Sequence, residues 1–220
     1  MKTSWLYRIL RPLFTFLMKV LFRPKYIGLE NIPAKGKVVL AGNHTGYLDC
    51  GYLISSTKRT VHFLAKKQLL DGWKKVFFGN MGIIPVDRSI HDKGALSAAI
   101  DALNNDEVIG IFPEGTINRT DDIIMPFKIG AVKMAYETDA QIVPFVITGK
   151  YKPFSKNGLT IEFFKPIKAT HKDLAIDNQK LMDIVSKSLE EKRKKYEKII
   201  FVIAHSHFYH LFPLYWRVCR

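Results

Sequence analysis

The segment GNHTGYLDC, residues 42–50, places His44 and Asp49 five positions apart. A five-residue step turns a regular helix by about 500°, so the two side chains would not share a helical face. A turn at residues 45–46 would instead let the carboxylate fold back to the imidazole, fix its tautomer and leave the other ring nitrogen free to take a proton. No nearby serine suits the role of nucleophile, and neither does Cys50. The proton that the histidine takes would therefore come from a substrate hydroxyl. A polar loop that caps a helix explains the same residues equally well.

Further candidate substrate-binding residues follow other apolar runs of the chain. They are Arg88 in GNMGIIPVDRS, Glu114, Gly115, Thr116 and Arg119 in IFPEGTINRT, and Lys128 in MPFKIGA. Each basic residue alone is typical of a solvated surface, but their recurrence indicates a shared cleft. Arginine and lysine side chains near a helix N-terminus are suited to binding phosphate.

The elements that must position these residues alternate along the chain. Strands are predicted at 37–41, 61–65, 83–86, 108–112, 141–147 and 159–164, and helices at 47–56, 92–104, 129–138 and 177–198. This alternation predicts a single α/β domain with a mostly parallel central sheet flanked by helices. Ligand sites of such sheets lie at the carboxyl ends of strands, where each polar motif falls. The absence of G-x-G-x-x-G, P-loop and G-x-S-x-G patterns counts against dinucleotide binding, P-loop phosphoryl transfer and serine hydrolysis.

Four motifs occur in order: N-H-x4-D at 43–49, G-x-I-P-V-D-R at 82–88, F-P-E-G-T at 112–116 and the proline of IVPFVI, Pro144. Together they resemble the motifs of the 1-acyl-sn-glycerol-3-phosphate acyltransferase family of glycerolipid acyltransferases. The resemblance implies that His44 is the general base for the 2-hydroxyl of 1-acyl-glycerol-3-phosphate (lysophosphatidic acid) and that Asp49 supports it. The resulting oxygen would attack an acyl thioester directly and give phosphatidic acid without an acyl-enzyme, a metal or a cofactor.

The same resemblance implies roles on the substrate side. It assigns the acceptor's phosphate to Arg88, the turn that completes the acceptor site to Glu114 and Gly115, and a structural element near the acyl donor to Pro144. Many relatives continue the third motif as E-G-T-R-S, whereas this chain reads EGTINR, with Ile117 at the arginine position. Either Arg119 restores the contact from the next part of the loop, with Lys128 as a helper, or the acceptor has a different head group.

Positive charge is concentrated at the amino end, and its placement points to a membrane. The net charge is +14, and residues 1–25 carry six Lys or Arg and no acid. Such an excess suits anionic lipid, phosphorylated substrates or nucleic acid. The middle of the chain lacks the interleaved basic and aromatic residues of a nucleic-acid face, so we do not expect a nucleic-acid partner. Acyl-CoA and acyl carrier protein are both acidic, and the charge does not choose between these donors.

Projected as a helix, residues 1–25 place a narrow polar stripe beside a wide apolar face, as in a helix that lies on an anionic membrane. The stripe comprises Ser4, Arg8, Arg11, Thr15, Lys19 and Arg23. The longest uncharged stretch, residues 12–18, is far short of the ~20 residues that span a bilayer. Pro12 is expected to kink the helix or divide it into two. The alternative is a helix packed on its own domain.

Residues 199–216 contain no Asp, Glu, Lys or Arg. Three histidines and a proline count against a spanning helix, and the neighbouring aromatics favour a membrane-interface or packed segment over a metal site. Its role stays open. Two distant cysteines, Cys50 and Cys219, indicate a reducing compartment.

The predicted organisation is a membrane-surface helix at 1–25, an acyltransferase domain at 26–198 and a terminal segment at 199–220. We expect a peripheral or monotopic protein of the cell membrane, with its domain on the cytoplasmic side. Two alternatives remain: the same chemistry on another lysolipid or a hydroxyl-bearing aminolipid, and a non-catalytic basic membrane-binding protein. Intact His44, Asp49 and Glu114 argue against the second.

Overall fold

The computed structural model of this 220-residue chain describes residues 5–72, 79, 81–87, 92–154, 159–170 and 173–218. Its helices are α1 (Trp5–Phe22), α2 (Asp49–Ser56), α3 (Lys93–Asn104), α4 (Gly130–Thr138) and α5 (Leu174–Val218). Its strands are β1 (Lys25–Ile27), β2 (Val38–Gly42), β3 (Val61–Lys66), β4 (Ile83–Val86), β5 (Val108–Ile111), β6 (Gln141–Thr148) and β7 (Thr160–Phe163). Every predicted strand is present within one residue of its predicted bounds. The three-residue β1 was not predicted, because it is too short to show a strand pattern.

The strands of the described residues form one sheet in the order β1-β7-β6-β2-β5-β3-β4. All neighbours from β6 to β4 pair in parallel, β7 is antiparallel to β6, and β1 is parallel to β7. The prediction of an α/β fold with a mostly parallel sheet is therefore confirmed. The carboxyl ends of the five parallel strands meet at a single edge of the sheet.

Helices cover both faces of the sheet, and β2 shows why its sequence is apolar without alternation. Val39 and Ala41 pack with α3, α4 and α5 in one core cluster. Val38 and Leu40 pack with α1 and α2 in the other. All four side chains are fully buried. A central strand that is buried on both faces reads as a continuous apolar run.

Helix α1 packs on the domain with one face and leaves a second apolar face exposed. Its residues Tyr7 and Met18 are buried against the domain, and the Tyr7 hydroxyl accepts from the N–H of Val61 at 3.1 Å. The exposed apolar residues are Ile9 (59%), Leu13 (58%), Phe16 (65%), Leu17 (45%) and Val20 (45%). The helix thus combines the two alternatives that the sequence left open, domain packing on one face and an exposed apolar surface on the other.

The predicted polar stripe of α1 is exposed at some positions and packed against the domain at two others. Arg8 and Lys19 are exposed as expected. The Arg11 guanidinium instead donates to the carbonyl oxygen of Thr57 after α2, and the Thr15 hydroxyl is buried. The helical period brings these two residues to the packed side of the stripe, where the end of α2 offers a carbonyl acceptor. The helix is continuous through Pro12 rather than divided into two.

Helix α5 is longer than predicted at both ends. It begins at Leu174 and continues for 45 residues to Val218, so residues 199–216 extend the predicted helix 177–198 without a break. The Asp177 carboxylate accepts from the N–H of Thr170 at 2.6 Å in the first turn. None of the helices in the described residues combines the length and the apolar character needed to cross a bilayer.

Candidate active site

The candidate site lies where the loops after three neighbouring strands meet. The order β6-β2-β5 places the carboxyl end of β2 between those of its two partners. Residues 43–48 follow β2, residues 112–118 follow β5, and residues 149–154 follow β6. The expectation that the polar motifs meet at one edge of the sheet therefore holds for the motifs after β2 and β5.

His44 and Asp49 form the pair that their spacing predicted. His44 Nδ1 lies 2.8 Å from Asp49 Oδ2. Because a carboxylate only accepts, Nδ1 carries the proton and Nε2 presents its lone pair. Nε2 makes no hydrogen bond to any residue that the structure describes. The imidazole stacks on the Phe112 ring at 4.1 Å with 13° between the planes, and 17% of the side chain stays exposed, against 0% for Asp49.

The Asp49 carboxylate also holds the turn that separates it from the histidine. Its Oδ2 accepts from the N–H of Thr45 at 2.6 Å and of Gly46 at 2.9 Å. Its Oδ1 accepts from the Thr45 hydroxyl at 3.1 Å. Helix α2 consequently begins at Asp49 rather than at the predicted Tyr47, and the positive end of the helix favours this negative charge. The loop-organising role and the histidine-orienting role coexist in one carboxylate.

Glu114 fastens the main chain of His44 to a second loop. The Glu114 side chain is 3% exposed, with Oε1 accepting from the N–H of His44 at 2.8 Å and Oε2 accepting from the N–H of Met125 at 2.9 Å. Burial raises the pKa of the Glu114 carboxyl, and the two backbone donors oppose this rise. The N–H of Asn118 donates to the His44 carbonyl at 3.0 Å. Both backbone polar groups of His44 are therefore held by the loop after β5.

The remaining residues of that loop lie at the site's surface. Gly115 has φ +76, and the ammonium of Lys128 lies so close that a Cβ on Gly115 would sit 2.8 Å from Nζ. The left-handed φ favours glycine at this position. Thr116 and Arg119 are exposed, and Arg119 Nη2 donates to the Tyr47 hydroxyl at 3.2 Å. Arg119 and Lys128 thus place two positive charges beside the loops that carry His44.

Asn43 and Pro144 both lie at the contact between β2 and β6. Asn43 is 6% exposed, and it donates to the Ile147 carbonyl at 2.9 Å and accepts from the Ile147 N–H at 2.8 Å. This two-way bond continues the ladder after β2 has ended. Pro144 pairs with Ala41 inside the sheet, and its carbonyl accepts from the N–H of Phe164 at 2.8 Å. Pro144 is thus a sheet residue.

Arg88 lies outside the residues that the structure describes, so its predicted contact with phosphate stays a prediction. The preceding strand β4 ends at the same edge as β2 and is separated from it by β5 and β3. The N–H of Asp87 donates to Asp92 at 2.9 Å, and Asp92 caps α3 through Ala95 at 3.0 Å. Within the described part of the chain, no group of three or more His, Cys, Asp or Glu side chains could hold a metal ion.

Sequence reasoning missed several residues that contact the site, and Asn118 and Tyr151 are two of them. Asn118 holds the His44 carbonyl, and Tyr151 places its hydroxyl 3.1 Å from Thr45 Oγ1. Asn118 stands beside Ile117, at the position where the chain departs from the family pattern, which was the available signal. Tyr151 follows β6 as the other motifs follow their strands, so the rule that assigned them would also have found it.

The chain belongs to the acyltransferase family, whose model matches residues 23–148. It is similar to two proteins named 1-acyl-sn-glycerol-3-phosphate acyltransferase. The one from Bacillus subtilis is 33% identical over 127 residues, 57% of this chain and 62% of that protein. The one from Borreliella burgdorferi is 38% identical over 137 residues, 59% of this chain and 53% of that protein. The matched part thus spans less than two thirds of each relative's length.

The fold is shared with a solved structure, the crystal structure of the 1-acyl-sn-glycerophosphate (LPA) acyltransferase from Thermotoga maritima. The two superpose with a TM-score of 0.65 and 23% sequence identity, over 85% of this chain and 78% of that chain. The site residues that the sequence predicted all lie inside the segment that matches the family model.

Proposed function

We propose that this protein is an O-acyltransferase that moves a fatty acyl group from a thioester to the 2-hydroxyl of 1-acyl-glycerol-3-phosphate. The observation that carries the proposal is the His44 Nδ1 to Asp49 Oδ2 contact of 2.8 Å, which leaves Nε2 as a proton acceptor in a partly open site. Membership of the acyltransferase family supports the reaction class, and the names of the Bacillus and Borreliella relatives support the choice of acceptor.

The reaction needs only a base and a held substrate. His44 Nε2 takes the proton of the acceptor hydroxyl while the oxygen attacks the thioester carbonyl carbon. An ester C–O bond forms, the C–S bond breaks, and the departing sulfur receives the proton from Nε2. Throughout, Nδ1–H stays on the histidine and donates to Asp49, whose negative charge stabilises the imidazolium. No side chain is acylated in this scheme, and the donor is acyl-CoA or acyl carrier protein.

Positive side chains beside the site support a phosphorylated acceptor. Arg119 and Lys128 extend from the loop that holds His44, and both are exposed and available to an anion. Such charges bind phosphate directly. The half-buried, uncharged Ile117 stands where relatives of this family carry arginine, and this observation favours a second candidate, the same reaction on a different lysolipid or a hydroxyl-bearing aminolipid.

The exposed face of α1 supports work at a membrane surface. Five large apolar side chains of this helix point away from the domain, with the exposed Arg8 and Lys19 beside them. Apolar residues flanked by positive charge suit the surface of an anionic bilayer. Acceptor and product both reside in such a bilayer.

The proposal is tested by following labelled acyl transfer from acyl-CoA, and separately from acyl carrier protein, to lysophosphatidic acid in anionic vesicles. Wild type is compared with His44→Ala, and thermal unfolding verifies that the variant folds. We expect His44→Ala to lose ~10²–10⁴-fold in rate, because a general base contributes that much. A His44→Ala variant as active as wild type would overturn the mechanism. Faster transfer to an acceptor without a terminal phosphate would favour the second candidate.

A further inference from the structure

Tyr151 lies in the loop after β6 and contacts the turn between His44 and Asp49. Its hydroxyl is 3.1 Å from Thr45 Oγ1. The Thr45 hydroxyl has a single proton, and it donates that proton to Asp49 Oδ1 at 3.1 Å, because the carboxylate can only accept. The Tyr151 hydroxyl is therefore the donor to Thr45. The result is a one-way chain of hydrogen bonds from Tyr151 through Thr45 to the carboxylate.

The two carboxylate oxygens of Asp49 have different partners, and only one of them is reached by the hydrogen bonds that start at Tyr151. Oδ2 accepts from His44 Nδ1 and from two backbone N–H groups. Oδ1 accepts from the Thr45 hydroxyl alone among the described residues. Rotation of the carboxylate about its own axis is thus opposed on the Oδ1 side by a hydrogen bond that Tyr151 holds in place.

The Tyr151 ring reinforces the same contact by packing. It lies against Gly46 so closely that a Cβ there would come within 2.6 Å of Cε2. It also stacks on the fully buried Tyr52 at 5.8 Å with 30° between the planes. Tyr52 lies one turn after Asp49 on α2. The Tyr151 ring therefore contacts both the turn at residues 45–46 and the helix that carries the carboxylate.

We infer that Tyr151 is a positioning residue for the His44–Asp49 pair, acting through the Thr45 hydroxyl. The inference rests on the proposed function, since it assumes that the pair performs the acyl transfer. Tyr151 fixes the orientation of the carboxylate, and the carboxylate fixes the imidazole. Its effect therefore falls on the rate of the bound complex and leaves acceptor binding unchanged.

The test compares Tyr151→Phe, which keeps the ring and removes only the hydroxyl, with wild type in the full chain. We expect kcat to fall about threefold to tenfold, the effect of losing one hydrogen bond, with the KM for lysophosphatidic acid unchanged. Tyr196→Phe, an exposed tyrosine of α5, is the matched control and should behave as wild type. Thermal unfolding verifies that both variants fold.

Two further variants test whether the effect passes through Thr45. Thr45→Ser keeps the hydroxyl and should retain the activity, whereas Thr45→Val should lose as much as Tyr151→Phe. Combining Tyr151→Phe with Thr45→Val should cost no more than Thr45→Val alone, because the tyrosine then has no acceptor to hold. Multiplied losses would overturn the inference, and so would a raised KM with an unchanged kcat.

A spectroscopic measurement separates this inference from the proposed function. The Nδ1 proton of His44 is followed by NMR in wild type and in Tyr151→Phe, without any substrate. A shifted or broadened resonance in the variant supports the positioning role, even if wild type transfers no acyl group and the proposed function fails. An unmoved resonance overturns the role of Tyr151, whatever the activity.

Discussion

At the scale of single residues, the notable feature is how completely His44 is held. Asp49 fixes the imidazole, the Glu114 carboxylate fixes the backbone N–H, and the Asn118 N–H fixes the carbonyl. In the proposed reaction, a base held at three points would need little reorganisation when a hydroxyl reaches Nε2, and such pre-organisation would favour catalysis.

Part of this arrangement could be predicted from the sequence. The five-residue spacing and the glycine-containing turn indicated the His44–Asp49 pair. The hydrogen bonds that hold the main chain of His44 could not be predicted. The partners of the Glu114 carboxylate are backbone N–H groups, which every residue type except proline supplies. Nothing in the types of His44 and Met125 indicates that one buried carboxylate joins their loops.

Cys50 gives a prediction about covalent chemistry. Burial, together with the nearby Asp49 charge, raises the pKa of the Cys50 thiol to about 12. At pH 8 the folded protein should hold on the order of a thousandfold less Cys50 thiolate than the unfolded chain. Alkylation by iodoacetamide, read by mass spectrometry with and without denaturant, measures this difference. Cys50→Ala should keep acyl transfer close to the wild-type rate, whereas a trapped Cys50 thioester would contradict direct transfer.

At the scale of elements, the contact between β2 and β6 positions the loop that carries His44. Gly42 ends β2 opposite Phe145, and Asn43 then continues the pairing through its side chain. Both strands follow from their apolar sequences. Their neighbour relation does not, because a parallel sheet joins strands that are distant along the chain, and single-strand patterns carry no strand order.

This contact predicts a loss of stability for Gly42→Ala, and a second glycine outside the contact provides a control. A Cβ on Gly42 would lie 2.1 Å from the Phe145 carbonyl oxygen, so Gly42→Ala must push β2 away from β6. We expect a loss of ~1–3 kcal/mol in the free energy of unfolding, as for an overpacked core. The control Gly130→Ala, at the start of α4, has as its nearest neighbour Ile111 Cδ1 at 3.8 Å.

Gly130→Ala should leave stability unchanged or raise it slightly, since alanine favours a helix over glycine. Urea unfolding of both variants measures the two effects. A Gly42→Ala variant as stable as wild type would show that the gap between β2 and β6 has room for a side chain at residue 42.

At the scale of the whole molecule, helix α1 packs on the domain with one face and exposes an apolar surface with the other. Its buried side includes Tyr7 and Met18, and its exposed side carries Leu13 and Phe16. The sequence predicted an amphipathic helix but not this division, because apolar residues cover most of the helix and periodicity alone cannot say which of them meet the domain. Deletion of the helix would therefore remove core residues as well as the surface.

Point substitutions on the exposed side give a sharper prediction for membrane binding. The pair Leu13→Glu and Phe16→Glu should weaken binding to vesicles of phosphatidylglycerol and phosphatidylcholine by at least about tenfold, given the apolar area that each side chain could bury in lipid. The control pair Ile176→Glu and Tyr196→Glu changes equally exposed residues of α5 and should bind as wild type. Vesicle sedimentation measures both, and undiminished binding of the α1 pair would move the anchor to another part of the chain.

The most direct test of the central claim, that His44 and Asp49 act as one unit, is a double-mutant comparison of acyl transfer. The kcat/KM for lysophosphatidic acid is measured for wild type, His44→Ala, Asp49→Asn and the double variant, with folding verified by thermal unfolding. If Asp49 acts only by orienting and stabilising the histidine, the double variant should be no slower than His44→Ala alone, because residues that work as a unit are non-additive. Losses that multiply in the double variant would show that the two residues act independently and would contradict the account.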